Sequence, residues 1–472
     1  MLDPLAVGLY SIAVLFALIF CGVYVAVALA VVGAAGVFLV TGNLSVAGRL
    51  LSASAYSNIN DYIFAVIPLF VLMGALATAS GATRDLFNAC GELTRRIRGG
   101  LGVSVVFANA MFAAITGVSV ASAAVFTRLA LPEMRRNRYQ DRFSFGIIAA
   151  SSLLGMLLPP SLLMIVYGVL TEQSIGMLFA AGIGPGLLLV VTMAAFIWLR
   201  CRIDPALISA QGQGGEAAGG DGLPPVVGAG ADADPPSDAA TAAAAAPTRP
   251  GVDLRVIGRA WHAYVLMLVV ILGIYGGFFT PTEAAAVAAF GALVLFVAKR
   301  GLALREMHEV VMQSGSMTGS ILILLLAAGV YSKMLSLTGL PGAVTEAVMA
   351  LDIGGMTIIA GFIVILLLLG MVLDSVSMML VTVPIMFPVV QQLGYDPMWF
   401  GMLMIFTVEI GLLTPPFGMV LFTIMSSAPA DVRYRELLWG VAPFIALLLL
   451  DLALLAAFPE ITVYLPRLIF AG

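Results

Sequence analysis

Short oxygen-bearing side chains and irregular backbone occur together at two double prolines, Pro159-Pro160 and Pro415-Pro416, each inside a long apolar segment. Proline lacks the amide donor and clashes with the preceding turn, so each pair is expected to interrupt a membrane helix. Non-helical backbone at membrane depth persists only where protein buries it or where it lines a wet cavity. Two such breaks in matching surroundings predict a repeated element with a site between its copies.

The surroundings of the two breaks match at a constant spacing of 256 residues (415 − 159) without a gap over residues 119–160. A chain rich in Leu and Gly gives some matches by chance, but prolines, a tyrosine and a glycine in one register indicate an internal duplication. The matching pairs are Ser119 and Ser375, Pro132 and Pro388, Tyr139 and Tyr395, Gly155 and Gly411, and Leu157 and Leu413.

Half-helix ends at such breaks can bind both a carboxylate and a cation. Helix N-termini present unpaired N–H groups and a partial positive charge, which favour anions, whereas unwound carbonyls and hydroxyls suit sodium. For any single Ser or Thr, a hydrogen bond to its own helix remains an alternative. The expected sodium ligands are Thr116, Gly117, Ser119 and Pro159 in the first half and Asp374, Ser375, Ser377, Thr414 and Pro415 in the second, with substrate contacts at Ser122, Ser161 and Gly418.

Acidic and basic residues inside apolar segments are stronger candidates for functional residues than single hydroxyls. Placing the charged side chain of Asp374 near the middle of a hairpin costs several kcal/mol unless it is paired or binds a cation. Asp374 could instead cap the second hairpin arm. Glu409 and Lys333 could each belong to an internal ion pair. Asp451 has no repeat partner and is expected to contact another helix, which could belong to a partner subunit. Glu283 follows a Thr-Pro-Thr sequence that is typical of a helix start.

The composition identifies the class of protein. The 472 residues are 61% hydrophobic and only 10% charged, with a mean hydropathy of +1.09, whereas soluble proteins carry about 25% charged residues. The chain is therefore a polytopic membrane protein whose first apolar stretch is a retained span. Its three cysteines form no CxxC, which argues against disulfide or zinc frameworks, and no nucleic-acid partner is expected.

Basic residues give the orientation of the segments. Both flanks of residues 100–131 are rich in Arg, whereas both flanks of residues 354–388 lack Lys and Arg, so the positive-inside rule predicts one re-entrant hairpin that enters from the cytoplasm and one from outside. Helices broken at the double prolines follow at 143–170 and 398–425. Residues 43–61 and 302–312 are predicted to be interfacial arms.

These segments predict an all-α polytopic membrane protein with an inverted-topology repeat, about ten transmembrane helices, two re-entrant hairpins and two broken helices. Residues 1–203 form the first repeat and 251–472 the second. The Ala-, Gly- and Asp-rich residues 204–250 between them are expected to be a disordered cytoplasmic linker. Five spans per half place both termini on the periplasmic side. Inverted repeats with paired hairpins and broken helices are a secondary-transporter design.

Six motifs make the chain resemble the large, DctM-like membrane subunit of tripartite ATP-independent periplasmic (TRAP) transporters. The resemblance covers nearly the whole chain apart from the linker, and the last three motifs are specific even singly. The motifs are Ala65–Phe70, Phe112–Gly117, Leu158–Ser161 with Tyr167-Gly168, Phe279–Ala286, Gly370–Asp374 and Gly411–Pro416.

The resemblance implies a sodium-driven importer of an organic acid, such as a C4-dicarboxylate, in the bacterial inner membrane. A DctP-like periplasmic binding protein would deliver the substrate, and a small four-helix DctQ-like subunit would be a separate chain. The hairpins and broken helices would move as one body in an elevator mechanism, with sodium as the coupling ion and no enzymatic activity or cofactor. Val118 stands where the family often has serine, so it offers no side-chain ligand.

Two other functions are compatible with parts of the sequence. A stand-alone sodium/carboxylate symporter would share the architecture and need no binding protein, but the TRAP-like motifs argue against it. An intramembrane protease is weakly supported, because GxGD is absent and both histidines, His262 and His308, lie at predicted cytoplasmic span ends.

Overall fold

The computed structural model describes residues 3–60, 62–208 and 253–470, and these residues form helices and connecting turns without a β-strand. Within them, six helices are long and apolar enough to cross a membrane, or seven when one bent pair counts as a single span. The prediction of an all-α polytopic membrane protein is confirmed. The count of ten full spans and the periplasmic placement of both termini stay predictions.

The first half contains a series of apolar helices, a helical hairpin and a helix interrupted at a double proline. We call Gly100–Thr116 and Ser119–Arg136 the first hairpin, and Asp141–Ser152, Leu154–Leu157 and Leu162–Thr171 the first broken helix. The other helices are Pro4–Phe20, Val25–Thr41, Leu44–Asn60, Val66–Ala79, Ala82–Thr94 and Ile175–Ile203, with short 3-10 turns at Tyr62–Ala65 and Pro205–Ile208.

The second half repeats this order. We call Gly355–Gly370 and Ser375–Gln392 the second hairpin, and Pro397–Leu413 and Met419–Ser427 the second broken helix. The other helices are Leu254–Arg259, Trp261–Tyr275, Pro281–Arg300, Leu304–Thr338, Leu340–Met349, Tyr434–Ala457 and Glu460–Phe470. Ser375–Gln392 is itself long and apolar enough to span, so length alone does not separate a re-entrant arm from a full span.

The second arms of the hairpins extend to Arg136 and Gln392, past the predicted ends at 131 and 388. Two further boundaries differ from those predicted from the sequence. Leu304–Thr338 is one continuous helix of 35 residues, so the predicted arm at 302–312 is not a separate element. No proline interrupts it, and single glycines inside a helix cost only about 1 kcal/mol each. A 3-10 turn at Pro205–Ile208 also lies past the predicted start of the linker at 204. Residues 209–252, which hold nearly all of that linker, lie outside the described residues.

The predicted helix start at Glu283 is confirmed. Thr280 precedes the helix Pro281–Arg300, and its hydroxyl accepts a hydrogen bond from Glu283 N at 3.3 Å, while Glu283 Oε2 accepts one from Thr280 N at 2.8 Å. This reciprocal capping box satisfies amide groups that the first helical turn would otherwise leave unpaired. Glu283 therefore fixes the helix start and is not a ligand candidate.

A single arginine joins the two halves at one end of the broken helices. Arg135, in the last turn of the first hairpin, donates to both carboxylate oxygens of Asp141 at 2.9 and 2.7 Å. The same guanidinium lies 3.1 Å from Asp431, which follows the second broken helix. The paired Arg–carboxylate geometry is a strong, orienting one, so Arg135 fixes where the first hairpin ends and the first broken helix begins.

Candidate functional site

The tip of the first hairpin lies against the first helix break. Gly117 has a positive φ of 64°, which glycine adopts without strain and which turns the chain between the two arms. Its carbonyl accepts a hydrogen bond at 3.3 Å from the N–H of Leu162, two residues after the double proline. Gly155, before the break, packs so closely that a Cβ there would lie 2.9 Å from Ser119 Cα. The first tip and the first break therefore form one unit.

The second half uses the matching glycine, but this glycine contacts the first arm of its hairpin. A Cβ on Gly411 would lie 2.7 Å from Gly370 Cα. Gly370 ends the first arm of the second hairpin, and Gly411 lies just before the second break. Because Gly155 and Gly411 are repeat partners, both halves use the same position to bring a hairpin tip against a broken helix.

Glu409 lies between the two hairpin tips and is the central residue of the site. It is fully buried in the second broken helix, and its Oε1 accepts a hydrogen bond from Ser375 Oγ at 3.0 Å. The hydroxyl of Ser119 lies close to the same carboxylate but short of hydrogen-bonding geometry. Ser119 Oγ and Glu409 Oε2 thus remain without a partner. Ser119 and Ser375 are repeat partners, so one carboxylate meets the equivalent residue of each half.

The sequence placed Glu409 and Lys333 in apolar spans as members of possible internal ion pairs, but neither forms an ion pair among the described residues, and Lys333 is exposed. The sequence did not place Glu409 in the site. The repeat gives no signal, because the position 256 residues earlier is Leu153. Nearly every residue of Pro397–Leu413 is buried, so periodicity also does not show which face of this helix meets the hairpins. Its position two residues before Gly411 was the only available clue.

Asp374 caps the second arm of the second hairpin. Its Oδ1 accepts a hydrogen bond from Ser377 N at 3.0 Å, which is the structural role that the sequence had left open. The side chain is half-buried, and no ion pair to it occurs within residues 3–60, 62–208 and 253–470. Capping occupies one oxygen, so the carboxylate still has lone pairs for a cation.

Three predicted ligands form hydrogen bonds to their own segment. Thr116 donates to Phe112 O at 3.0 Å and Thr414 to Ile410 O at 2.8 Å. Ser161 donates to Met156 O at 2.5 Å and also caps the helix after the first break. A hydroxyl that donates in this way still offers its oxygen as an acceptor, so these bonds are compatible with ion binding but do not require it.

Two other predicted hydroxyls are buried without a hydrogen-bond partner. They are Ser122 Oγ in the first hairpin and Ser377 Oγ in the second. Buried polar atoms without partners are uncommon because each costs about 1–3 kcal/mol. Together with Asn109 Oδ1, Ser119 Oγ and Glu409 Oε2, they make five unpaired polar side-chain atoms in the hairpins and the second broken helix.

The remaining candidates lie at the breaks themselves. The Pro159–Pro160 and Pro415–Pro416 peptide bonds are both cis. Pro159 is buried, whereas Pro415 is exposed. Gly418 has a φ of 46° and precedes the helix Met419–Ser427. Among the described residues, the hydrogen bonds that link different segments of the site join Gly117 to Leu162 and Ser375 to Glu409, so the structure brings together only part of the predicted set.

The sequence from residue 12 to residue 461 matches the family described as tripartite ATP-independent periplasmic transporter, DctM component. The chain belongs to the DctM family. It is 30% identical to the C4-dicarboxylate TRAP transporter large permease protein of Pseudomonas aeruginosa, over 89% of this chain and 90% of the relative. It is 29% identical to the sialic acid permease of Vibrio cholerae, over 87% of each chain, and 29% identical to the ectoine permease of Halomonas elongata, over 97% and 99%.

Solved structures support the fold of this DctM chain. The YdaH transporter of Alcanivorax borkumensis superposes with a TM-score of 0.55 at 14% identity, over 87% of this chain and 88% of its own. MtrF of Neisseria gonorrhoeae gives a TM-score of 0.54 at 15% identity, over 87% and 84%. The DctM chain is thus a large TRAP permease with a membrane-transporter fold, and relatives of similar identity are named for chemically different substrates.

Asp451 contacts another helix of the same DctM chain. It is fully buried, and its Oδ2 accepts a hydrogen bond from Thr192 Oγ1 at 2.7 Å. Thr192 belongs to Ile175–Ile203 and Asp451 to Tyr434–Ala457. The prediction of a contact with another helix is confirmed, and a partner subunit is not needed to explain it.

We expect Thr192→Val to lower the free energy of unfolding of the DctM chain by about 1 kcal/mol, because the buried carboxyl of Asp451 loses its hydrogen bond. Thermal unfolding of the purified protein in detergent measures the change. Thr423→Val is the matched control, since Thr423 donates only to Met419 O of its own helix. Equal effects of the two substitutions would show that the Thr192–Asp451 contact adds nothing.

Proposed function

We propose that this permease imports an organic acid together with sodium, after delivery of the acid by a periplasmic binding protein. A small membrane subunit completes the complex in the inner membrane. The hairpins and broken helices carry the site across the membrane as one body. Family membership and the named relatives support the class of substrate, because C4-dicarboxylates and sialic acid are carboxylates.

One observation carries the proposal: the buried carboxylate of Glu409 accepts a hydrogen bond from Ser375 and lies close to Ser119, the equivalent tip residue of the other half. Short hydroxyls, irregular backbone and a carboxylate are the groups that hold a hard cation in transporters with broken helices. Asp374 supplies a second carboxylate on the same hairpin as Ser375. The proposed sodium ligands therefore remain those at the two tips and breaks, with Glu409 added as the residue that joins them.

The net charge moved in each transport cycle limits how many sodium ions can accompany the substrate. Each elementary charge that crosses 100 mV is worth about 2.3 kcal/mol. A dianion that enters with two sodium ions carries no net charge, so the membrane potential would not drive its accumulation. A third sodium ion would make import electrogenic, whereas a monoanion needs only two.

Reconstituted transport tests the proposal directly. The permease, its small membrane partner and the binding protein are combined in proteoliposomes, and uptake of labelled C4-dicarboxylate, sialic acid and ectoine is followed. We expect uptake of one substrate to require both an inward sodium gradient and the binding protein. Equal uptake with potassium in place of sodium would overturn sodium coupling, and sodium-driven uptake without the binding protein would identify a stand-alone symporter.

A further inference from the structure

A cavity of about 730 Å³ lies away from the hairpins, at one end of two neighbouring apolar helices. It is lined by the first residues of Trp261–Tyr275, the last residues of Pro281–Arg300 and the short helix Leu254–Arg259. The short helix is held in place because Asp253 N donates to Glu92 Oε1 at 3.0 Å. The cavity is thus formed by packed segments of both halves.

The lining of the cavity has an excess of positive charge. Three cationic side chains, Arg255, Arg259 and Lys299, face one carboxylate, Asp85, which leaves a net charge of +2 with His262 neutral. Lys299 Nζ lies 2.5 Å from Asp85 Oδ2 and is therefore already paired.

The two arginines form the unpaired part of this charge. They lie four residues apart and so on the same face of their helix. Neither guanidinium has an ion-pair partner among residues 3–60, 62–208 and 253–470. Arginines one helical turn apart can donate to the same phosphate, which each guanidinium binds through paired N–H donors.

The cavity opens where the membrane surface should lie. Trp261, at its edge, is 62% exposed, and exposed tryptophans are enriched at the membrane–water interface. From there, Val265, Leu268 and Leu272 form an exposed apolar stripe along one face of their helix. Phe290 and Val294 extend this apolar surface on the neighbouring helix. A basic cavity therefore continues into a surface that suits hydrocarbon chains.

We propose that this cavity binds the phosphate headgroup of an anionic phospholipid. Arg255 and Arg259 bind the phosphate, Trp261 packs at the level of the glycerol backbone, and the acyl chains lie along the stripe of Val265, Leu268 and Leu272. Basic pockets between membrane helices are known to hold such headgroups. A free phosphate would use the same two arginines but would leave the apolar stripe without a role.

Native mass spectrometry of the delipidated full-length chain in neutral detergent tests the proposal. Phosphatidylglycerol, cardiolipin and phosphatidylcholine are titrated separately, and inorganic phosphate is added as a soluble competitor. We expect the two anionic lipids to bind more tightly than phosphatidylcholine. Removing both guanidinium charges by Arg255→Gln with Arg259→Gln should weaken the anionic lipids about 25-fold, since each basic residue near the surface contributes about fivefold.

The control is a pair of substitutions with the same change of charge. Arg300→Gln with Arg305→Gln removes two exposed arginines that do not line the cavity, and it should leave anionic-lipid binding unchanged. Both affected arginines in the test variant are exposed, so folding should be preserved, and an unchanged thermal midpoint verifies this. Equal loss in both variants, binding of phosphatidylcholine as tight as that of phosphatidylglycerol, or displacement of the lipid by millimolar phosphate would each overturn the proposal.

Discussion

Sodium-dependent uptake should fall at least about fiftyfold when Asp374 is replaced by alanine, while the protein still folds and inserts. An intramembrane carboxylate costs about 2.5–3.5 kcal/mol, and at the proposed sodium site the cation would offset this cost. Without the carboxylate, the cation loses a ligand of opposite charge. Uptake into proteoliposomes at several sodium concentrations measures the effect, together with the amount of inserted protein. Wild-type uptake at unchanged sodium affinity would remove Asp374 from the ion site.

The capping role of Asp374 requires a second variant. Asparagine caps a helix about as well as aspartate but carries no charge, so Asp374→Asn should keep the thermal midpoint and still lose uptake. Asp396→Asn is the matched control, because Asp396 caps Pro397–Leu413 by accepting from Met398 N at 2.9 Å. It should transport like the wild type. If Asp374→Asn also did so, the aspartate would be a helix cap only.

Replacement of Glu409 by leucine should reduce uptake by about 5- to 150-fold, since leaving a buried hydrogen-bonding partner unsatisfied costs about 1–3 kcal/mol. The substitution leaves the hydroxyl of Ser375 without its acceptor and removes a carboxylate that both hairpin tips approach. Glu409→Gln retains an acceptor for Ser375 and should lose less. Uptake and the sodium concentration at half-maximal rate are the quantities to compare.

A double-mutant cycle separates this contact from general damage to the core. If Glu409 acts through Ser375, Ser375→Ala should have little further effect in the Glu409→Leu background. Thr407→Val serves as the control, because Thr407 is buried in the same helix but donates only to Leu403 O. Additive losses in the cycle, or an equal loss in the control, would contradict the proposed link between the tips.

The repeat made much of this architecture predictable. Proline pairs, glycines and basic flanks are local signals, and they predicted a hairpin followed by a broken helix in each half. Gly155 and Gly411, matched from the sequence alone, are where the tips contact the breaks. Glu283 was assigned correctly because a capping box depends on neighbouring residues.

The partners of buried polar residues could not be predicted in the same way. Glu409 meets Ser375 across 34 residues and Asp451 meets Thr192 across 259, and neither contact leaves a local pattern. A helix that is buried all round gives no periodicity to orient it. The polar first turns of Leu304–Thr338 predict a separate arm, but this segment is one helix because helix continuity depends on the backbone rather than on polarity.

The contact between the halves has a consequence for the order of synthesis. Tyr167 is fully buried in the first broken helix, and its hydroxyl donates at 2.7 Å to Pro397 O, 230 residues later in the chain. The ring also packs edge-on against Phe387 of the second hairpin. While the ribosome is still translating the second half, the first broken helix has neither this acceptor nor this packing surface. The first half can therefore be inserted early, but its central helices reach their final positions only after residues 387–397 have entered the membrane.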